Sequence, residues 1–203
     1  MKNFYLGLGL LVALASPFSF AQDRTMTIQH LTGANSYFNI SVQDDGLLQG
    51  SYPGWCIDWA KRIEDNTTYN AKFFSTLSEN IPAGVVDRPE NLDEVNWLIN
   101  QHKVGKTSPG GFGVYTAGDV QLAIWALLDD YYETGSVGPF DQRRVDELVA
   151  VALKDGSGFV PRCNQLVAII LDPELPGGEK HQTTIIEIIR RHFPKCAVPE
   201  GDI

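Results

Sequence analysis

A cysteine and a glutamine hold most of the chemistry that this sequence offers. The chain has three cysteines, Cys56, Cys163 and Cys196. With one disulfide formed, an odd count leaves one thiol over. Cys163 precedes a strand-like run and Cys196 follows another, so a Cys163–Cys196 link would fasten the C-terminus and leave Cys56 free. Pairing of Cys56 with Cys163 or with Cys196 stays open. An unpaired thiol outside the cell is either buried or chemically committed. Gln121 is the second oddity. Trp125 and Leu128 share its helical face, and Val120, Ile124, Leu127 and Tyr131 make the adjoining face apolar. An amide buried there without partners costs on the order of 1–3 kcal/mol. Backbone hydrogen bonds would satisfy it. So would its consumption: attack of the Cys56 thiolate on the Gln121 carbonyl expels ammonia and leaves a thioester that lacks the amide's donors.

The segments around the two residues resemble a known pattern. WCID, Trp55 to Asp58, and VQLAIW, Val120 to Trp125, resemble the two signatures of bacterial thioester domains, best known from Gram-positive surface adhesins. That family has a Cys in a short aromatic strand and, later, a Gln in a TQxAIW-type helix. The spacing of 65 residues differs from the contiguous thioester of complement proteins. The resemblance implies Cys56 and Gln121 as the cross-link, opened by an amine such as a lysine on a target surface. It implies Trp55, Trp59 and Trp125 as candidates for shielding the bond; all three also suit an ordinary core. Asp58 either tunes the site or is a solvated carboxylate. Val120 stands where the family usually has Thr, and no LPXTG-type sorting signal or lipid-attachment Cys is present, so an anchored adhesin is not expected.

The elements that must position these residues read as follows. Residues 1–21 form a signal peptide: Lys2 gives the positive start, Phe4 to Ala15 the apolar run, and Ser19 and Ala21 the small residues before cleavage. The apolar run is short for a membrane span, which needs roughly 20 residues. The remaining 22–203 suit one exported domain, secreted, periplasmic or at the cell surface. Loss of Lys2 takes the net charge from −9 to −10, which argues against nucleic acid or anionic membrane as partner. The partner expected instead is a protein or other amine-bearing surface.

Thr25 to Leu31, Tyr37 to Val42 and Gly54 to Trp59 read as strands, with a turn at Asp44-Asp45-Gly46. Helices follow. Asn91 is expected to cap the first, which Gly105 ends. Thr116 and Asp119 form a capping box for the second, from Ala117 to about Tyr132. Asp141 caps a third that stops near Gly156. Between the first two, Lys106 to Tyr115 is a loop. Leu166 to Leu171, ending at Asp172-Pro173, and Thr183 to Ile189 return to strand. The fold class is therefore α+β: a β-sandwich or barrel-like body with a helical insertion in the middle of the chain.

Other chemistry is thinly represented. His30, His102, His181 and His192 have no metal-ligand spacing. Asp44-Asp45 and Asp129-Asp130 lack a calcium-loop signature. No phosphate-binding glycine motif occurs, and no cofactor or metal is expected. Asn39 and Asn66 open glycosylation sequons, which matter only in a eukaryotic source. A cysteine-dependent acyltransferase or protease would need a general base that no motif supplies, so the chain is not expected to be an enzyme. A non-covalent secreted domain, with Gln121 purely structural, is the remaining alternative.

Overall fold

The computed structural model describes residues 24–190, apart from 32–34, 44, 45, 47, 130, 131 and 136. The expected signal peptide, the expected Asp44-Asp45 turn, Asp130, Tyr131, His192 and Cys196 lie outside the described residues. Six strands form a closed antiparallel barrel: β1 (Thr25–His30), β2 (Phe38–Gln43), β3 (Gly50–Cys56), β4 (Thr68–Ser75), β5 (Leu166–Glu174) and β6 (Thr184–Ile189), in the order β1-β2-β3-β6-β5-β4. Closure leaves no long unpaired edge. Between β4 and β5 come three helices, α1 (Leu92–Asn100), α2 (Ala117–Leu128) and α3 (Gln142–Asp155). The expected α+β body with a central helical insertion is what the chain adopts.

Strand alternation explains the core. Met26 and Ile28 of β1, Phe38, Ile40 and Val42 of β2, and Ile169, Leu171 and Ile186 turn inward and are essentially inaccessible. Gly54 belongs to the same inward row. A Cβ there would come within 2.5 Å of Ile40 Cδ1 and 3.0 Å of the Ile185 carbonyl oxygen, so only glycine fits.

Several boundaries differ from the sequence expectation, each for a visible reason. β3 ends at Cys56, not Trp59, because its pairing with β6 stops at Cys56↔Thr184. β5 continues through Asp172-Pro173 to Glu174. Pro173 is tolerated because its carbonyl points toward His181, past the last β5–β6 pair, where no ladder donor is required. α1 stops at Asn100, well before Gly105. Asn91 does not cap α1 with its side chain; its Nδ2 donates instead to the Leu127 carbonyl, at 2.7 Å. α2 ends at Leu128, and the backbone turns extended at Asp129. β4 was not foreseen; its alternation is diluted by half-buried positions.

α1 is fixed to β5 by two amides. Asn96 Oδ1 accepts from the Ala168 N–H at 2.9 Å. The Asn100 carboxamide pairs reciprocally with the Leu166 backbone, accepting its N–H and donating to its carbonyl, each at 2.8 Å.

Candidate functional site

Both ends of α2 are pinned, which makes it a rigid carrier. At its start the Thr116 hydroxyl accepts from the Asp119 N–H, and the Asp119 carboxylate accepts from the Thr116 N–H, the capping box that the sequence predicts. Asp119 is fully buried and also receives the Asp141 N–H at 2.8 Å and Arg144 Nε at 2.6 Å. Asp141 caps α3 as expected, accepting from the Arg143 N–H. Gly118 lets the loop beyond α2 approach closely; a Cβ would lie 2.6 Å from the Pro139 carbonyl oxygen. At the far end, Arg88 donates through Nη2 to the carbonyls of Trp125, Ala126 and Asp129. Those are acceptors that a helix terminus leaves open, and a cation there matches the helix dipole.

This helix delivers Gln121 to Cys56. Both residues are at 0% exposure. The Cys56 N–H donates to Gln121 Oε1 at 2.9 Å, and Gln121 Nε2 donates to the Cys56 carbonyl at 2.7 Å. The cause lies in the sheet. The Ile57 N–H points to Thr183, the residue just before β6, so the Cys56 backbone groups point the other way, toward β2. But β2 begins only at Phe38, opposite Gly54. The Gln121 carboxamide fills the gap in the ladder.

The thiol sits at the end of β3, on the row that faces the barrel interior. Its Sγ donates to the Asp58 carbonyl at 3.3 Å and has the Thr183 carbonyl at 3.9 Å. Burial pushes the Cys56 thiol well above its ordinary pKa. Contacts with the Asp58 backbone and the Trp125 side chain oppose this, and the Asp58 and Asp129 carboxylates add to it. The site thus favours uncharged sulfur, either thiol or acylated. Cys56 is a free cysteine, as the preferred reading of the three cysteines requires, and Cys163 is disulfide-bonded.

The aromatic candidates separate. Trp125, at 2% exposure, lies one helical turn beyond Gln121 and perturbs the thiol directly. Tyr132 stacks on it with centroids 6.2 Å apart, and Tyr37 meets it edge-on at 6.5 Å. Neither tyrosine is singled out by the sequence as a shield; Tyr37 comes from the segment before β2, which only the tertiary fold brings here, and Tyr132 from just past α2. Trp59 is half-buried, and its N–H donates to Asp129 at 2.6 Å. Trp55 faces away from the thiol, as alternation along β3 dictates. It lines a cleft of about 310 Å³ with Val120, Leu98, Ile99 and Glu187. Asp58 turns its carboxylate to Lys61 Nζ, at 2.5 Å, so it reaches the thiol only through its backbone and its field.

Neither the family models nor the curated proteins contain a match to this chain. Among solved structures, the chain is similar to the N-terminal thioester domain of fibronectin-binding protein SfbI from Streptococcus pyogenes. Identity is 13%, the TM-score is 0.43, and 84% of this chain and 95% of that one are covered. It is also similar to the N-terminal thioester domain of a surface protein from Clostridium perfringens, at 12% identity and a TM-score of 0.45, over 81% of this chain and 99% of that one. At this level of similarity no chemistry transfers from those proteins, and the geometry of the Cys56–Gln121 pair has to carry the functional reading.

The described residues contain no group of three or more His, Cys, Asp or Glu side chains placed to hold a metal ion. No described helix is long and apolar enough to cross a membrane.

Glu187 in the cleft behind Trp55 gives a pH signature. Burial raises its carboxyl to about 7, although the Trp55 indole N–H, 2.7 Å away, pulls it down. The folded state therefore holds a proton that the unfolded chain releases near 4.5. The contribution of Glu187 to stability falls as pH rises from 4.5 through about 7 and stays flat above. Glu187→Gln is expected to remove this cost, on the order of 3 kcal/mol at neutral pH. Urea midpoints of both proteins should converge near pH 4.5 and separate by pH 7 to 8.

Proposed function

We propose that this protein is a covalent binding module of the exported kind, whose single-use reactive group is an internal thioester between Cys56 Sγ and the Gln121 side-chain carbonyl. The observation that supports it is the pairing of the Gln121 carboxamide with the backbone of the cysteine itself, with both residues buried, on elements 65 residues apart. In forming the bond, Sγ attacks the Gln121 carbonyl carbon, the carbon–nitrogen bond breaks, and Nε2 takes the thiol proton and leaves as ammonia. The Cys56 N–H stays on the carbonyl oxygen, where it polarises the bond and stabilises charge that develops on that oxygen.

An amine on a target then attacks the same carbon. The carbon–sulfur bond breaks, sulfur takes the electron pair, and the proton lost by the amine ends on sulfur. The products are an amide link to the target and the free Cys56 thiol. The link is made once and kept, which distinguishes the module from an enzyme. Its partner is an amine-bearing surface, and its place of work lies outside the cell.

Methylamine tests the reading as a minimal amine. Peptide mapping after incubation should find it incorporated at Gln121, with Cys56 newly reactive toward iodoacetamide in the unfolded chain. Absence of incorporation at Gln121 would leave the carboxamide as a structural filler of the β2 gap.

A further inference from the structure

Two buried donors beside the thiol are poorly used in the ground state. Thr184 Oγ1 has no hydrogen-bond partner among the described residues, and Trp125 Nε1 meets only the weakly accepting Cys56 sulfur, although both side chains are almost fully inaccessible. Leaving such groups unmade is costly, so their presence needs a reason. Their positions supply one. Thr184 is the cross-strand partner of Cys56. Because the Cys56 N–H goes to Gln121 and not to β6, the two form a non-hydrogen-bonded pair, the closer of the two pair types at about 4.5 Å between Cα atoms. Their side chains therefore lie side by side on the same face. Trp125 approaches the same sulfur from α2, one turn beyond Gln121.

We propose that the Trp125 indole N–H and the Thr184 hydroxyl are the donors that receive the Cys56 sulfur as it leaves Gln121. This rests on the thioester reading above. In the thioester, sulfur is neutral and a poor acceptor, so neither donor is strongly engaged. When an amine adds to the Gln121 carbonyl carbon and the carbon–sulfur bond breaks, the electron pair moves onto sulfur, in a site that otherwise disfavours negative charge. Two preorganised donors then bind the transition state better than the ground state, which is the condition for acceleration. The proton that the amine loses finally neutralises the sulfur. Trp125 thus does more than cover the bond.

The test is the rate of methylamine incorporation, followed by intact mass on purified, folded protein. Trp125→Phe keeps the ring and removes the N–H; Thr184→Val keeps the shape and removes the hydroxyl. Each should slow incorporation by roughly tenfold or more, and Thr184→Ser should restore most of the rate. A merely structural threonine would not show that rescue. If Trp125→Phe disturbs the fold, the Thr184→Val and Thr184→Ser pair decides alone. A methylamine-reactive wild type with unchanged Trp125→Phe and Thr184→Val rates overturns this inference and leaves the thioester standing. A wild type inert to methylamine overturns both.

Discussion

Gln121→Ala is expected to destabilise the protein more than Cys56→Ala, although each removes the same cross-link. A bond that closes a 65-residue loop restricts the unfolded chain and contributes roughly 4 kcal/mol on the loop-entropy model used for disulfides. Cys56→Ala forfeits this but keeps the backbone at position 56, and the Gln121 carboxamide can go on pairing with it. Gln121→Ala forfeits the bond and also strands a buried N–H and a buried carbonyl where β2 does not reach. An unsatisfied buried backbone group costs about 1–3 kcal/mol, so the glutamine variant should unfold at lower urea than the cysteine variant by at least that much. Equal midpoints for the two variants would contradict the ladder-filling role of Gln121. Equal midpoints for Cys56→Ala and wild type would speak against the bond.

The second large effect belongs to Asp119. Its carboxylate is fully buried and joins the α2 cap, the Asp141 N–H and Arg144 in one cluster. Asp119→Ala leaves the Arg144 guanidinium, itself only 12% exposed, without its carboxylate. Removing one partner of a buried pair typically costs about 3–5 kcal/mol, with the lost cap adding about 1 kcal/mol. Because α2 also carries Gln121 and Trp125, the yield of methylamine-reactive protein should drop with stability. A calorimetric scan at neutral pH checks the first expectation and mass after methylamine treatment the second. An Asp119→Ala protein that melts like wild type would show that the cluster contributes nothing to holding α2.

How much of this was legible in the sequence can be judged residue by residue. The capping box at Thr116 and Asp119, the Asp141 cap and the stop at Gly156 follow from local chemistry and are visible in the chain. So is the burial of Gln121, because periodicity alone makes α2 apolar nearly all round. The partner of Gln121 was not legible from spacing alone. It depends on β2 starting at Phe38, two positions short of facing Cys56, and strand registers are set by the whole barrel. Trp55 shows the same limit. The resemblance made it a shielding candidate, yet period-two alternation sends its ring to Glu187 on the outer face, while Tyr37, distant in the chain, and Tyr132, just past α2, cover Trp125. The strand through Pro173 and the non-capping Asn91 were misread because tertiary partners, His181 and Leu127, override local preference.

One internal comparison bears on the chemistry. Asn100 makes the same reciprocal pairing with Leu166 that Gln121 makes with Cys56. A carboxamide that completes a strand backbone is thus a structural device that this fold uses twice. What sets the second instance apart is the thiol on the paired residue and the poorly used donors around it. Asn100 pairs with a leucine, whose side chain carries no nucleophile, and should stay intact.

The most direct measurement is the intact mass of the purified mature protein, taken without reductant and compared with the mass computed from its sequence and any disulfide. The account predicts a deficit of one ammonia, absent from both Cys56→Ala and Gln121→Ala. Full mass in freshly purified wild type would contradict it.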